Sequence, residues 1–233
     1  MKSEVHPVQA VLEKAVDRLS EKNLSVALSA LLVTHTSGLA VNGHPEVAPV
    51  YKQLDEVLNK HGTNVEEHFL SILFIDLISE VEIYLATLVR AVIAKDPLKV
   101  GNFQLKLAEV LEAESNDELV ARAAEIYLNG VMFKKPLDYL SDISNVLSID
   151  DKTVEQAWPS YIEAKARRDL GVHNDWICNE TYLRKLKEAG VLSESRIGDK
   201  LRPTTDYVRR LAGSIDEICV RLAEAVHAKH VGV

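Results

Sequence analysis

Residues 64–95, NVEEHFLSILFIDLISEVEIYLATLVRAVIAK, decide the fold. Phe69, Leu73, Leu77, Val81, Tyr84 or Leu85, Leu88 and Val92 recur every three or four residues, the period of a helix with one apolar face. Asn64 is a good N-cap, Glu66 and Glu67 suit the positive end of the helix dipole, and Pro97 follows the end. The stretch therefore predicts one long helix from about residue 64 to 95, the central packing element of the chain. Asp76, Glu80, Glu82 and Arg90 fall within its most apolar part, Phe69 to Ala94, which argues against a membrane span. The three carboxylates are expected to face solvent, the alternative being that one lies opposite the arginines near residue 168.

Working outward, the remaining segments also carry helical signals. Residues 7–34 read as two helices, the first with Pro7 in its opening turn and the second capped by Asn23 and closed by Gly38. A Gly/Pro-marked loop precedes a short helix at about 50–60. Further helices are predicted at about 102–113, 117–129 and 136–147, then the helix carrying the site, preceded by Asp150–Asp151 and holding Pro159 in its first turn or two, and a short one from Asn179 to Gly190. Val191–Leu201, with a turn signal at Gly198–Asp199, has the pattern of a small β-hairpin. Thr204 or Thr205 caps a last helix in which Val208, Leu211, Ile215, Ile218, Leu222 and Val226 form a near-heptad stripe, suited to packing within the subunit or across a dimer. The fold class is all-α: a helical bundle over residues 61–233 with an N-terminal helical extension, residues 1–60, and at most one hairpin.

Composition narrows the function. With 47% hydrophobic and 27% charged residues among 233, the chain reads as globular. Its first residues, MKSEVHPVQAVLEK, are charged rather than apolar, so the expectation is a soluble, cytoplasmic protein without a membrane anchor. Cys178 and Cys219 form no CxxC or Cys/His cluster and are read as unpaired thiols. His35, His44, His61 and His68 show no metal-ligand spacing, and the long helix lacks the Glu-x-x-His pairing of a di-iron bundle, so no metal or other cofactor is expected. A net charge of −8 disfavours nucleic-acid binding over the whole surface. Yet from Lys165 to Lys187 six basic residues stand against three acidic ones, a local basic patch that fits a confined RNA site.

That patch holds the functional candidates, in Glu163–Arg184, EAKARRDLGVHNDWICNETYLR. Arg168, Asp169, His173 and Asn174 place a guanidinium, a carboxylate, an imidazole and an amide within two turns. Asp169 and His173, four apart, share a helix face. Arg168 and His173 are five apart, about 140° around an ideal helix, so they share a site only if the helix ends or bends near Gly171, or if a second subunit supplies one of them.

At Arg168–Asp169–Leu170–Gly171–Val172–His173 the chain matches the Rx4-6H signature of the HEPN superfamily (higher eukaryote and prokaryote nucleotide-binding domains). The run ARRDLGVHND…NETYLRKL, the long helix and GDKLRPTTDYVRRL resemble a bacterial branch of it over roughly residues 64–228. Where some family toxins carry a tyrosine two residues after the histidine, this chain has Asp175. The resemblance implies a homodimer whose paired motifs face a shared cleft, and a metal-independent endoribonuclease acting on single-stranded RNA in prokaryotic defence or a toxin-like role. An antitoxin or defence-system protein would be a further partner. In that reading His173 is the general acid/base and Arg168 the phosphate ligand. Asp169 fixes the imidazole tautomer, Asn174 orients the scissile group, and Lys165, Arg167 and Arg184 are peripheral RNA contacts. The alternative is a non-catalytic HEPN-type module binding RNA, a nucleotide or a protein.

Overall fold

A computed structural model describes residues 6–101, 104–132, 134 and 136–232. Among the described residues the helices are α1 (Pro7–Val41), α2 (Val47–Asn59), α3 (Val65–Lys95), α4 (Leu107–Glu112), α5 (Asn116–Met132), α6 (Pro136–Leu147), α7 (Trp158–His173), α8 (Glu180–Glu188) and α9 (Thr205–His230), with 3-10 turns at Pro97–Val100 and Asp151–Thr153. No strand occurs among them, and the architecture is all-α.

α3 is the axis. The Asn64 side chain accepts a hydrogen bond from the Glu67 N–H at 2.9 Å, and the helix then runs unbroken to Lys95. Phe74, Leu77, Ile78, Val81, Val89, Val92 and Ile93 are fully buried, covering more than one face, because other helices surround this one. Each such side chain contributes about 1.5–3 kcal/mol of transfer free energy. In the first turns the core side is Leu70 and Phe74, whereas Phe69 is on the exposed side. α1 packs along α3 and α9, and Val8, Leu12, Ala15, Leu19 and Val26 enter the same core as the α3 side chains. The α9 stripe, Val208 to Val226, is spent inside the subunit, and the Tyr84 hydroxyl ties α3 to α9 by donating to the Cys219 carbonyl at 3.0 Å. Cys178 and Cys219 are buried free thiols.

Several expectations change. Residues 7–41 form one helix, not two: Asn23 is buried mid-helix, and its amide donates to the Ala212 carbonyl (3.0 Å) and Asp216, tertiary partners that replace the local capping bond. An 18-residue window of α1 is long and apolar enough, by length and composition, to cross a membrane. α5 continues through Asn129–Gly130 to Met132, since one mid-helix glycine costs only about 1 kcal/mol. The helix expected at 102–113 occupies Leu107–Glu112, and positions 102 and 103 lie outside the described residues. The carboxylates of α3 are paired rather than free: Glu80 takes a two-pronged bond from Arg18 (2.9 and 3.0 Å), Asp76 takes Lys22 (2.8 Å), and Glu82 meets α7.

The hairpin is replaced by a longer-range pairing. Ile177 and Lys200 form an isolated antiparallel bridge, with Cys178 N–H donating to Asp199 O (2.8 Å) and Leu201 N–H to Trp176 O (2.8 Å). The turn at Arg196–Asp199, with Gly198 at φ +93°, sends the chain back to residues 176–178 instead of onto itself. The partner segment exists because α7 stops sharply. Asn174 and Trp176 N–H groups both donate to Leu170 O (2.8 and 3.0 Å), and Asp175 and Trp176 adopt φ of 46° and 64°. Trp176 thereby folds back on α7 and packs near Phe74, ring centroids 5.8 Å apart. A Cβ at Gly171 would lie 2.4 Å from its indole, so only glycine leaves room.

Gly171→Ala should therefore cost about 1–3 kcal/mol, the usual penalty for overpacking. Urea midpoints of Gly171→Ala, Trp176→Ala and the double variant check this. The cost of the alanine should vanish once the indole is gone, and an equal cost in both backgrounds would place it elsewhere.

Candidate functional site

α7 presents two charged faces, and they have different roles. On one, the Glu163 carboxylate accepts from Arg167 Nε (2.7 Å), the Tyr182 hydroxyl (2.6 Å) and the Tyr207 hydroxyl. Burial, reinforced by Glu163, raises the pKa of both phenols, so they remain protonated donors. The Arg167 guanidinium lies 4.2 Å from the Tyr207 ring centroid and donates to the Leu201 carbonyl at 3.5 Å. Arg167 thus braces α7 against α8 and α9 rather than facing a ligand. Arg184, exposed on α8, pairs with Glu188 one turn on.

The other face opens on a cavity of about 440 Å³. Lys165, Arg168, Asp169 and His173 reach it from α7, Lys185 from α8 and Glu82 from α3. Asn129, Lys134 and Tyr139 complete its polar wall. One oxygen of Glu82 accepts from both Lys165 and Arg168 Nη2, the latter at 2.8 Å. Asp169 accepts from Lys185 at 2.8 Å, and its other oxygen lies 3.5 Å from Arg168 Nε. That Nε is buried and makes no hydrogen bond among the described residues. Lys165 Nζ sits 5.3 Å from the Tyr139 ring, beneath which Trp158 and Tyr161 stack at 5.6 and 5.0 Å. The floor is therefore rigid and aromatic, and Lys165 is held between a carboxylate and a π face.

Four of the lining side chains are cations and two are carboxylates, in a chain whose net charge is −8. Lys134 is paired with Asp142 outside the cavity (2.6 Å), whereas Glu82 is shared by two cations and leaves positive charge over. Such a pocket suits an anion with several oxygens.

Arg168 and His173 line this cavity together in a single chain, so a second subunit is not needed to unite them. Arg168 leaves the helix body toward Glu82, and His173 is its last residue, exposed and without a hydrogen bond or ion pair among the described residues. Asp169 is engaged by Lys185 and Arg168 instead of the imidazole, because α8 packs alongside. Asn174 caps the helix and donates to the Ile177 carbonyl at 2.6 Å, holding the reversal that follows. Asp175 faces Lys200 (3.4 Å) and Arg202 (3.7 Å). Sequence reasoning did not single out Lys185, Tyr139, Asn129 or Lys134. Lys185 belonged to the basic run and Glu82 was a candidate partner, but the other three come from α5, α6 and their connection, where no spacing pointed to α7. Among the described residues no group of three His, Cys, Asp or Glu side chains is placed to hold a metal ion.

Comparison with protein-family models, curated proteins and solved structures returns no match. What fold and site define together is an all-α bundle with a cationic cavity and an imidazole at its mouth.

Removing the shared carboxylate should unmask its partners. Glu82→Gln is expected to tighten pyrophosphate binding about tenfold at low salt, the scale of one charge-assisted hydrogen bond, with the gain shrinking as ionic strength rises. Titration calorimetry measures both, and unchanged or weaker binding would remove Glu82 as a competitor for the anion.

Proposed function

We propose that this cavity binds single-stranded RNA through its phosphates and cleaves it without a metal ion, in a HEPN-like protein serving prokaryotic defence or a toxin-like role. The observation that carries the reading is that Arg168 and His173 converge on one cavity richer in cations than in carboxylates.

His173 takes the proton of a ribose 2′-hydroxyl, whose oxygen then bonds to the adjacent phosphorus. An imidazole is suited to this near neutral pH. Arg168 and Lys165 stabilise the charge that builds on the phosphorus-bound oxygens, the guanidinium by a two-pronged contact. As the bond to the 5′-oxygen breaks, Lys185, the cavity's ammonium from α8, gives that oxygen a proton. The products are a 2′,3′-cyclic phosphate and a 5′-hydroxyl end. The incoming phosphate competes with Glu82 for Arg168 and Lys165, so Glu82 keeps the cations oriented while the cavity is empty. A second reading, binding without cleavage, rests on that same engagement: guanidinium and carboxylate together form a stable cluster with no need of a reaction.

Incubating a single-stranded RNA with the protein and a chelator separates the two. Wild type should yield cyclic-phosphate ends, and His173→Ala should cut at least about 100-fold more slowly, the usual worth of a general base, while still binding labelled RNA. Binding by both proteins with cutting by neither would establish the module. Equal cutting by both would remove His173 from the reaction.

A further inference from the structure

The chain leaves α7 through a reversal in which two residues other than glycine take left-handed backbone angles, Asp175 at φ 46° and Trp176 at φ 64°. Such residues enter that region at a cost, smaller for aspartate than for a bulky side chain, and stay there where their surroundings hold them. Trp176 is held by packing, its indole buried against Gly171 and Phe74. Asp175 is held by charge. Its Oδ2 lies 3.4 Å from Lys200 Nζ and its Oδ1 3.7 Å from Arg202 Nη2. The two cations are not equivalent, because the Lys200 side chain is 41% exposed and screened by water, whereas that of Arg202 is 12% exposed. The other terminal nitrogen of Arg202, Nη1, donates to the Gly62 carbonyl (2.8 Å) and to Glu67 (2.5 Å), before and within the first turn of α3. Glu67 is itself set by the Thr63 hydroxyl at 3.3 Å. One guanidinium therefore ties the start of the central helix to the residue two places after His173.

We propose that Arg202 is a positioning residue for His173, given the RNA-cleaving reading of the cavity on which this rests. Lys165 and Arg168 are anchored to Glu82 within the body of α7, whereas His173 is the last helical residue and makes no hydrogen bond or ion pair among the described residues. Its imidazole is placed by the backbone, through the Asn174 and Trp176 N–H groups that close the last turn on Leu170 O. Without Arg202, Asp175 relaxes from the left-handed region, those two bonds open and the last turn frays. The imidazole then shifts relative to a phosphate still held by Arg168 and Lys165. Arg202 does not line the cavity, so the loss falls on the chemical step and not on binding. Lysine is no substitute, since a single nitrogen cannot serve Gly62 and Glu67 on one side and Asp175 on the other.

Steady-state cleavage of a single-stranded RNA in chelator, binding of labelled RNA and residue-resolved amide exchange test this in the full chain. Arg202→Met should lower kcat at least about tenfold, with KM and RNA affinity within about twofold of wild type. The amides of Asn174 and Trp176 should exchange at least about tenfold faster, while those of α3 keep their protection. Arg202→Lys should act in the same direction. So should Asp175→Asn, which keeps the tolerance for left-handed angles and loses the charge. Arg202→Met combined with Asp175→Asn should be no worse than Arg202→Met alone, because both remove one contact. A raised KM at steady kcat would make Arg202 an RNA contact, and faster exchange throughout the chain would make it a general brace; either overturns the proposal, as do effects that add in the pair. A wild type that cuts nothing sinks the cleavage reading alone. Exchange at Asn174 and Trp176 then decides Arg202: faster exchange in Arg202→Met sustains its hold on the reversal, and unchanged exchange overturns it.

Discussion

One carboxylate, Glu82, is the constraint on which the site depends. It projects from the central helix into the path of α7 and engages both Lys165 and Arg168 with a single oxygen. All three side chains are at most 21% exposed, so none of these charges is well solvated. Two cations and one anion so placed hold together as a set, because removing the carboxylate leaves two like charges facing each other. The consequence is geometric. α7 cannot rotate on α3 without stranding charge, and Arg168 is therefore presented to the cavity in one orientation.

The opposite face of α7 enforces the same orientation by different means. Glu163 collects Arg167, Tyr182 and Tyr207, and the burial that raises both phenols keeps them as donors. Adjacent arginines thus have separate duties. Arg167 fixes the helix to α8 and α9, and Arg168 faces the cavity. The end of the helix is fixed as firmly, by Trp176 folding onto Gly171 and by the bridge between Ile177 and Lys200. His173 is the last helical residue before this reversal, so an exposed imidazole stands on a helix end held by tertiary contacts.

Legibility in the sequence followed the range of the interaction. The boundaries of α3, α8 and α9 were readable because Asn64, Asn179 and Thr204 cap them with bonds spanning three residues. The α9 stripe was readable, but not whether it faced the subunit or a partner, since apolar spacing is blind to what covers it. Asn23 misled for a related reason: a residue that favours caps was stabilised by acceptors 189 and 193 positions away. Arg167 and Arg168 could not be told apart by type. They differ by about 100° around the helix, and only the positions of Glu82 and Glu163 decide which one faces the cavity.

The distribution of charge bears on the cavity as a whole. A chain of net charge −8 repels anions at long range, whereas near the cavity, where cations exceed carboxylates, an anion gains on approach. On the proposed function such a field favours selectivity over capture rate, because RNA would be held where a phosphate can displace Glu82.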